Sequence, residues 1–585
     1  MTPIEFGKVC SEVHSRNEFK TICHLKSLGR SGMDRMIQRF KYLMVACAGF
    51  FLLSVAPAAL SGQPNILLVM ADDMGWTDIG SFGSEIDTPN LDALAKQGVK
   101  FTDFHVSVSC SPTRSMLLSG TDNHLAGLGN MGEMLRPEQR GKPGYEGYLN
   151  DRVVSLAEVL RMGGYHTYMA GKWHLGHDPE QFPHARGFER SFSMLFGGAS
   201  YWSDMFGMLA VHEETAEYVL DDKRIEELPK DFYATRSYTD FLIDSIRENR
   251  NDGKPFFAYL AFTAPHDPLH VPEPWLSKYR GNYGDGYEAL KARRAAAAKK
   301  KGLIPDGAPM PERYHPELYE WVTAWNSLTT EQQALESRAM EVYAGMVNNM
   351  DYNFGRVVNY LKDIGEYDNT IVIFLSDNGP NPWYSEDYPG NFGSKWYAQF
   401  DNSIDNLGHP MSHYAYGIGW GSASAGPLDL FKMTVAEGGI RSPMLIAGPG
   451  VKGGQQVDAF AYVWDVMPTI LNLAGIPHPQ EYQGRPVERM RGKSLKGVLT
   501  GSTQTVYGAD EFVGGEMQNG KWMRQGDFKA VSVAPPYGTG AWHLYNLADD
   551  PGETHDLAKE EPEILKKLKS AWDHYAEDVG VVLTN

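Results

Sequence analysis

Four short apolar runs, each halted by polar residues, constrain this chain more than any other feature. They are Asn65–Met70 before Asp72-Asp73, Tyr165–Ala170 before Lys172 and His174, Phe256–Phe262 before His266, and Thr370–Leu375 before Asp377-Asn378. Runs without polar alternation suit strands buried on both faces, as in a parallel sheet covered by helices. Helical periodicity over Asn90–Gln97, Ser155–Met162, Ser237–Glu248, Thr330–Leu361 and Asp465–Ala474 alternates with them. The pattern predicts an α/β fold with a large doubly wound, mixed sheet flanked by helices. Ligands bind such sheets beyond the carboxyl ends of the strands. Four polar clusters spread over about 300 residues of sequence are thereby brought to one place.

The flanking regions read differently. Past Ser502, short stretches at Val506–Phe512, Lys529–Val533 and Trp542–Tyr545 precede a helical Glu561–Ala576, which predicts a small C-terminal antiparallel sheet with one helix. The domain division is therefore 63–501 for the main domain and 502–585 for the small one. Low-complexity residues 285–316, with Lys and Arg blocks around an Ala run, read as a solvated surface insertion with some helix. Arg35, Arg39 and Lys41 precede the apolar run Tyr42–Leu60, which exits through Ala56-Pro57-Ala58-Ala59. Basic, apolar and small-residue regions in that order describe a secretory signal at 36–62, and imply a periplasmic or secreted protein. An uncleaved membrane anchor is the other reading of the run. Residues 1–35 lack an apolar period and read as an extension before the true start, at Met36 or Met33.

Charge and cysteine usage narrow the function. The formal net charge is −19, and residues 1–62 carry eight Lys/Arg against four Asp/Glu, so the remainder is more acidic still. Such a body repels nucleic acid, and no nucleic-acid partner is expected. Cys10, Cys23 and Cys47 precede the expected cleavage point, leaving Cys110 alone. It opens Cys110-Ser111-Pro112-Thr113-Arg114-Ser115, where Pro112 suits a first helical turn and Cys110 falls at or beside the N-cap. Free N–H groups at a helix start attract an anion, and Arg114 adds planar donors matched to sulfate or phosphate oxygens.

The segment resembles the type I sulfatase signature, Cys-x-Pro-x-Arg followed by a helix and Gly120. The likeness runs from about Pro64 to Leu557. It takes in Gly171-Lys172-Trp173-His174-Leu175-Gly176, Thr263-Ala264-Pro265-His266, Lys432 before Glu437-Gly438-Gly439-Ile440-Arg441, and the tail residues Asp550-Pro551-Gly552-Glu553. Bacterial arylsulfatases of the alkaline-phosphatase-like superfamily are the nearest kin it suggests. The resemblance implies that a maturation enzyme converts Cys110 to Cα-formylglycine, whose hydrate attacks sulfur and then expels sulfate.

It further implies one Ca²⁺, ahead of Mg²⁺, held by Asp72, Asp73, Asp377, Asn378 and residue 110. Three carboxylates and an amide oxygen are in any case hard ligands unsuited to zinc. By the same likeness Arg114, Lys172, His266 and Lys432 bind the sulfate group. Asp377 relieves the attacking hydroxyl of its proton, His174 assists the departing one, and His266 or Lys432 protonates the leaving group. The expected activity is hydrolysis of small-molecule or glycan sulfate esters. A phosphonate monoester or phosphodiester hydrolase of the same superfamily competes, since a phosphodiester carries the same single charge. A non-catalytic sulfated-glycan-binding protein is a further alternative, expected to lack the nucleophile or the histidines. Trp202, Trp325, Trp383, Tyr384 and Trp396 are candidate pocket aromatics, and neither the natural substrate nor the oligomeric state is legible.

Overall fold

The computed structural model describes residues 62–210, 215–310 and 322–584. The expected signal and the end of the 285–316 segment lie outside them. Ten strands form one sheet: β1 (Asn65–Ala71), β2 (Val99–Phe101), β3 (His166–Lys172), β4 (Arg190–Met194), β5 (Tyr218–Leu220), β6 (Lys223–Ile225), β7 (Phe256–Ala261), β8 (Thr370–Ser376), β9 (Met444–Ala447) and β10 (Gln455–Val457). Their order across the sheet is β10-β2-β9-β8-β1-β7-β3-β4-β5-β6. The four apolar runs are its contiguous parallel centre, β8-β1-β7-β3. β9 runs antiparallel to β8, and β5 and β6 close the far edge as an antiparallel pair, so the sheet is mixed.

Side chains alternate between the faces of a strand, and the central strands supply two cores. Ile66, Leu68 and Met70 join the core that holds α2 (Cys110–Ser119) and α3 (Leu156–Met162). Leu67, Val69 and Ala71 join the other, with α4 (Ala234–Asn249) and α6 (Thr330–Asp363). Each fully buried Leu or Ile contributes roughly 2 kcal/mol, which is why both faces must be covered. Polar groups interlock the strand tips beyond these cores. The Asp377 N–H donates to the Ala71 carbonyl at 3.2 Å, and the Met74 N–H to Ser376 Oγ at 3.0 Å.

Two expectations need correction. The segment Val506–Phe512 is not a strand: Tyr507 is held in a loop by Asp465 and Trp464, and the strand starts at its end, β11 (Phe512–Met517). It pairs with β12 (Gly520–Gln525), which sequence reading missed, followed by β13 (Phe528–Ser532) and β14 (His543–Asn546). β12 was hidden because Arg524, a charged residue, is buried in it on an ion pair with Asp103. The helix Pro562–Val579 covers this sheet through Leu568 and Trp572. The second correction concerns residues 285–316, where the expected helix is present, at Tyr287–Lys300, but is not simply a solvated insertion. It buries Leu290 and Ala298, and Arg294 pairs with Asp78 and Glu85 inside the protein.

Candidate active site

Asp72 and Asp73 leave β1, Lys172 ends β3 with His174 two residues on, His266 follows β7, and Asp377-Asn378 follow β8. All lie at the same end of adjacent parallel strands. Helix α2 brings Cys110 to them. It begins at Cys110 itself, one residue earlier than a cysteine cap would give, with Ser109 as N-cap in extended conformation. It ends at Gly120, whose φ of 68° is the left-handed geometry a C-terminal glycine supplies. The Lys432 N–H donates to the Pro380 carbonyl and the Met433 N–H to that of Val108, which carries Lys432 to the same point.

The Cys110 thiol lies 3.4 Å from Asp72 Oδ1 and 3.8 Å from Asp73 Oδ1. Burial pushes its pKa well above the ordinary thiol value, so the unmodified side chain is a neutral donor to carboxylates and a poor nucleophile. Lys172 Nζ meets both oxygens of Asp72 at 2.9 and 2.7 Å. Lys432 Nζ lies 2.8 Å from Asp73. Arg114 is wholly buried; its Nε and Nη2 donate to Asp377 Oδ2 at 3.0 and 2.7 Å, and its Nη1 to the Lys172 carbonyl at 2.9 Å. Burial alone would raise Asp377, but Arg114, Lys172 and Lys432 outweigh it and hold the carboxyl well below its usual range. Asp72, by contrast, is pushed up to about 7 by burial against the pull of Lys172.

Asn378 Nδ2 donates to Asp73 Oδ1 and to the Gly379 carbonyl, both at 2.7 Å, so its amide is oriented and Oδ1 faces inward. That oxygen is buried with no protein partner. An orphaned amide oxygen beside three buried carboxylates is an all-oxygen set that fits Ca²⁺ or Mg²⁺. Backbone strain supports the same reading. Asp73, His174 and Met433 have φ of 61°, 55° and 69°, a region that costs side-chain-bearing residues about 1–2 kcal/mol each and that clusters at functional sites.

The histidines are set by their partners. His266 Nδ1 is 2.6 Å from the Asp267 carbonyl, which can only accept, so Nδ1 carries the proton and Nε2, 3.4 Å from Lys432 Nζ, is the acceptor. His174 Nε2 is 3.0 Å from Glu133 Oε1, and its buried Nδ1 has no partner. Glu133 was missed in the sequence, where a lone Glu in a loop carries no signal. Gly197 and Gly198 were missed as well. A Cβ on Gly197 would stand 3.0 Å from His174 Cε1, and one on Gly198 would stand 3.2 Å from His266 Cε1, so a side chain at either would crowd its histidine.

Every sequence-predicted site residue is thus in one neighbourhood, though not all touch the opening. Cys110, His174, His266 and Lys432 line a cavity of about 600 Å³. Arg114 and Lys172 stand behind it, fully buried. Of the five candidate aromatics only Trp383 lines it; Trp202, Trp325 and Trp396 pack on Tyr233, Trp420 and Phe400, respectively, and Tyr384 on Gly417.

A doubly wound sheet with a metal-competent carboxylate cage at a helix start defines the alkaline-phosphatase-like class of hydrolase. Residues 64–476 match the sulfatase family model, and residues 429–577 match the model of the N-sulphoglucosamine sulphohydrolase C-terminal region. An uncharacterized sulfatase of Schizosaccharomyces pombe is 44% identical over 90% of this chain and 95% of its own. An arylsulfatase of Klebsiella aerogenes is 40% identical over 78% of this chain and 97% of its own. The solved structure of Ps i-CgsB with k-i-k-neocarrahexaose shares the fold, at TM-score 0.60 and 23% identity over 88% of this chain and 93% of that one. The chain belongs to the sulfatase family. It is a sulfuric ester hydrolase acting on sulfate esters.

Proposed function

We propose that the enzyme works through Cα-formylglycine at position 110 with one Ca²⁺ in the carboxylate cage. The observation that carries this is the juxtaposition of a protonated, buried Cys110 with three carboxylates and the unpartnered Asn378 Oδ1. Asp72, Asp73, Asp377 and Asn378, with residue 110, would hold the ion, whose role is to polarise the sulfate oxygens and the nucleophile. Hydrated formylglycine supplies one hydroxyl to attack sulfur and a second whose collapse releases sulfate.

The remaining steps belong to this chain's own side chains. Lys172 and Lys432 offer ammonium charge to the sulfate oxygens, which is preorganised electrostatic stabilisation. Arg114 acts on sulfate at longer range, because both its faces are spent on Asp377 and the Lys172 carbonyl. Asp377 is accordingly kept as a ligand rather than as the proton acceptor. His174, with Glu133 holding Nε2, presents Nδ1 as the base that takes a proton from residue 110. Lys432 is the proton-bearing group at the leaving oxygen, and His266 Nε2 accepts from it and fixes its direction. A formylglycine-generating enzyme is the required partner, and the signal-like segment 36–62 supports export to the periplasm or beyond. Relatives named arylsulfatase support an aryl sulfate as test substrate.

Co-production with a maturation enzyme should lower the mass of the peptide around residue 110 by about 18 Da, as oxygen replaces sulfur and two hydrogens. That protein should hydrolyse 4-nitrophenyl sulfate, and Cys110→Ala should not. Full activity from an unconverted thiol would refute the route.

A further inference from the structure

Resting on that reading of the site, we infer that the cavity beside Cys110 selects esters with a single sulfate on an uncharged, apolar alcohol or phenol, and rejects polyanionic saccharide sulfates. The walls beyond the sulfate end are Met131, Met134, Phe196, Met208, Trp383 and Met433. Four thioethers and two aromatic faces form a surface that adapts to flat or flexible hydrocarbon and offers almost no hydrogen bonding. Two of the polar groups beside these walls are used elsewhere. Trp383 Nε1 donates to Tyr537 Oη at 3.0 Å, and the neighbouring Tyr388 hydroxyl is 3.1 Å from both Asp267 Oδ1 and Asn381 Nδ2. His177 packs its ring on Phe196 at 4.6 Å, and burial, with His174 nearby, holds its pKa down, so it is a neutral wall. A sugar's hydroxyls would lose water there for few partners, the His177 Nδ1 and two carboxylates, Glu133 and Glu217, already engaged by His174 and Arg224.

Charge points the same way. Among the described residues lining the cavity, Lys432 is the one lysine or arginine, and it is tied to Asp73 at the sulfate end. The acidic lining groups are Glu133 and Glu217, the latter ion-paired with Arg224. A second sulfate or a uronate on the leaving group would face those carboxylates, with Lys432 and Arg224 already committed to Asp73 and Glu217, on a protein of net charge −19.

The test uses the matured enzyme and two esters of primary alcohols, so that the alkoxide expelled is similar: octyl sulfate and N-acetylglucosamine 6-sulfate. kcat/KM should favour octyl sulfate by at least about tenfold, and glucosamine 2-N,6-O-disulfate should be poorer than either. Phe196→Gln, at a half-buried position, should narrow the octyl-to-saccharide ratio severalfold by supplying a partner for hydroxyls. Equal or better turnover of the saccharide esters would overturn the inference and leave the sulfatase reading intact. Failure of the converted enzyme on every sulfate ester would overturn that reading instead. Calorimetric binding of the same three esters to Cys110→Ala then still decides the pocket: preference for octyl sulfate supports the inference, and preference for the disulfate sinks it.

Discussion

Two buried clusters in this protein have nearly the same ingredients and opposite fates. The first holds Asp72, Asp73 and Asp377 against Arg114, Lys172 and Lys432. The second holds Asp103, Glu437 and Glu553 against Arg441, Arg524 and Lys529, with His105 bridging to Glu437 at 3.0 Å. Each pits three carboxylates against three cations, and each contains carboxylates close enough to suggest a metal. In the second, the cations fill the space between the carboxylates: Lys529 Nζ sits 2.8 Å from Glu437 and 2.9 Å from Glu553, and the Arg524 Nη2 is 2.7 Å from Asp103. In the first, an amide oxygen is left over, a thiol points inward, and a cavity opens on one side. Balance of charge is therefore a poor marker of function. The unpartnered polar atom opening on a cavity is the better one, since strained backbone occurs in both clusters, at Asp73 in the first and at Glu553, with φ of 53°, in the second.

Removing one arginine from each cluster should have opposite consequences. Arg114→Met should lower kcat/KM by about a hundredfold to a thousandfold or more, since it releases Asp377 and takes charge from the sulfate site. Arg524→Met should leave kcat of the folded enzyme close to wild type while reducing unfolding free energy by roughly 3–5 kcal/mol, the cost of a buried carboxylate left without its partner. Kinetics and urea denaturation on both variants separate the outcomes. Loss of kcat in folded Arg524→Met would mean that the second cluster serves the chemistry.

Metal titration is the next test. One Ca²⁺ per chain should bind, raising stability by about 4 kcal/mol at a thousandfold excess over Kd. Chelation should remove that gain together with activity. Ca²⁺ should restore both better than Zn²⁺, and Asn378→Leu should abolish the stabilisation. Two ions per chain, or binding retained in Asn378→Leu but lost in His105→Gln, would place the metal in the second cluster and reverse the assignment.

The contrast also explains what could be read in the sequence. The first cluster was legible because each member follows an apolar, unalternating strand or sits in a dense motif, as Asp72-Asp73 after β1 and Cys110 before Pro112 and Arg114 do. The four strands concerned are the sheet's centre, where burial on both faces writes the strongest pattern. The second cluster was not legible as a cluster. Glu437, Arg441 and Glu553 belong to recognisable segments, but Asp103, Arg524 on β12 and Lys529 on β13 do not, and their burial depends on tertiary pairing that no local period encodes. The same cause hid β12 and made the Arg294 helix look solvated. Glu133, Gly197 and Gly198 shape the cavity through loops, where spacing carries no information.

A third buried group, around His124, couples stability to pH. His124 lies two residues past a carboxylate it touches: Nδ1 is 2.9 Å from Asp122 Oδ1, and Nε2 is 3.2 Å from Glu516 Oε2 on β11. Asp122 Oδ2 also accepts from the Tyr575 hydroxyl at 2.8 Å, so the group clasps the C-terminal sheet and helix to the loop after α2. Burial alone would lower the His124 pKa, but the two carboxylates outweigh it and raise it to about 9 from 6.5. A folded pKa above the unfolded one stabilises fully below the unfolded value, and the gain fades as pH rises through the folded value. The shift corresponds to a contribution of about 3 kcal/mol, present at pH 6 and lost between about 6.5 and 9. His124→Gln should therefore be less stable than wild type by that amount at pH 6, and the gap should shrink by pH 10, measured by urea unfolding of the calcium-loaded protein. A gap that stays constant with pH would show that His124 is neutral in the folded protein. Its cluster would then be held by hydrogen bonds alone, unlike the ion-paired cluster around Glu437.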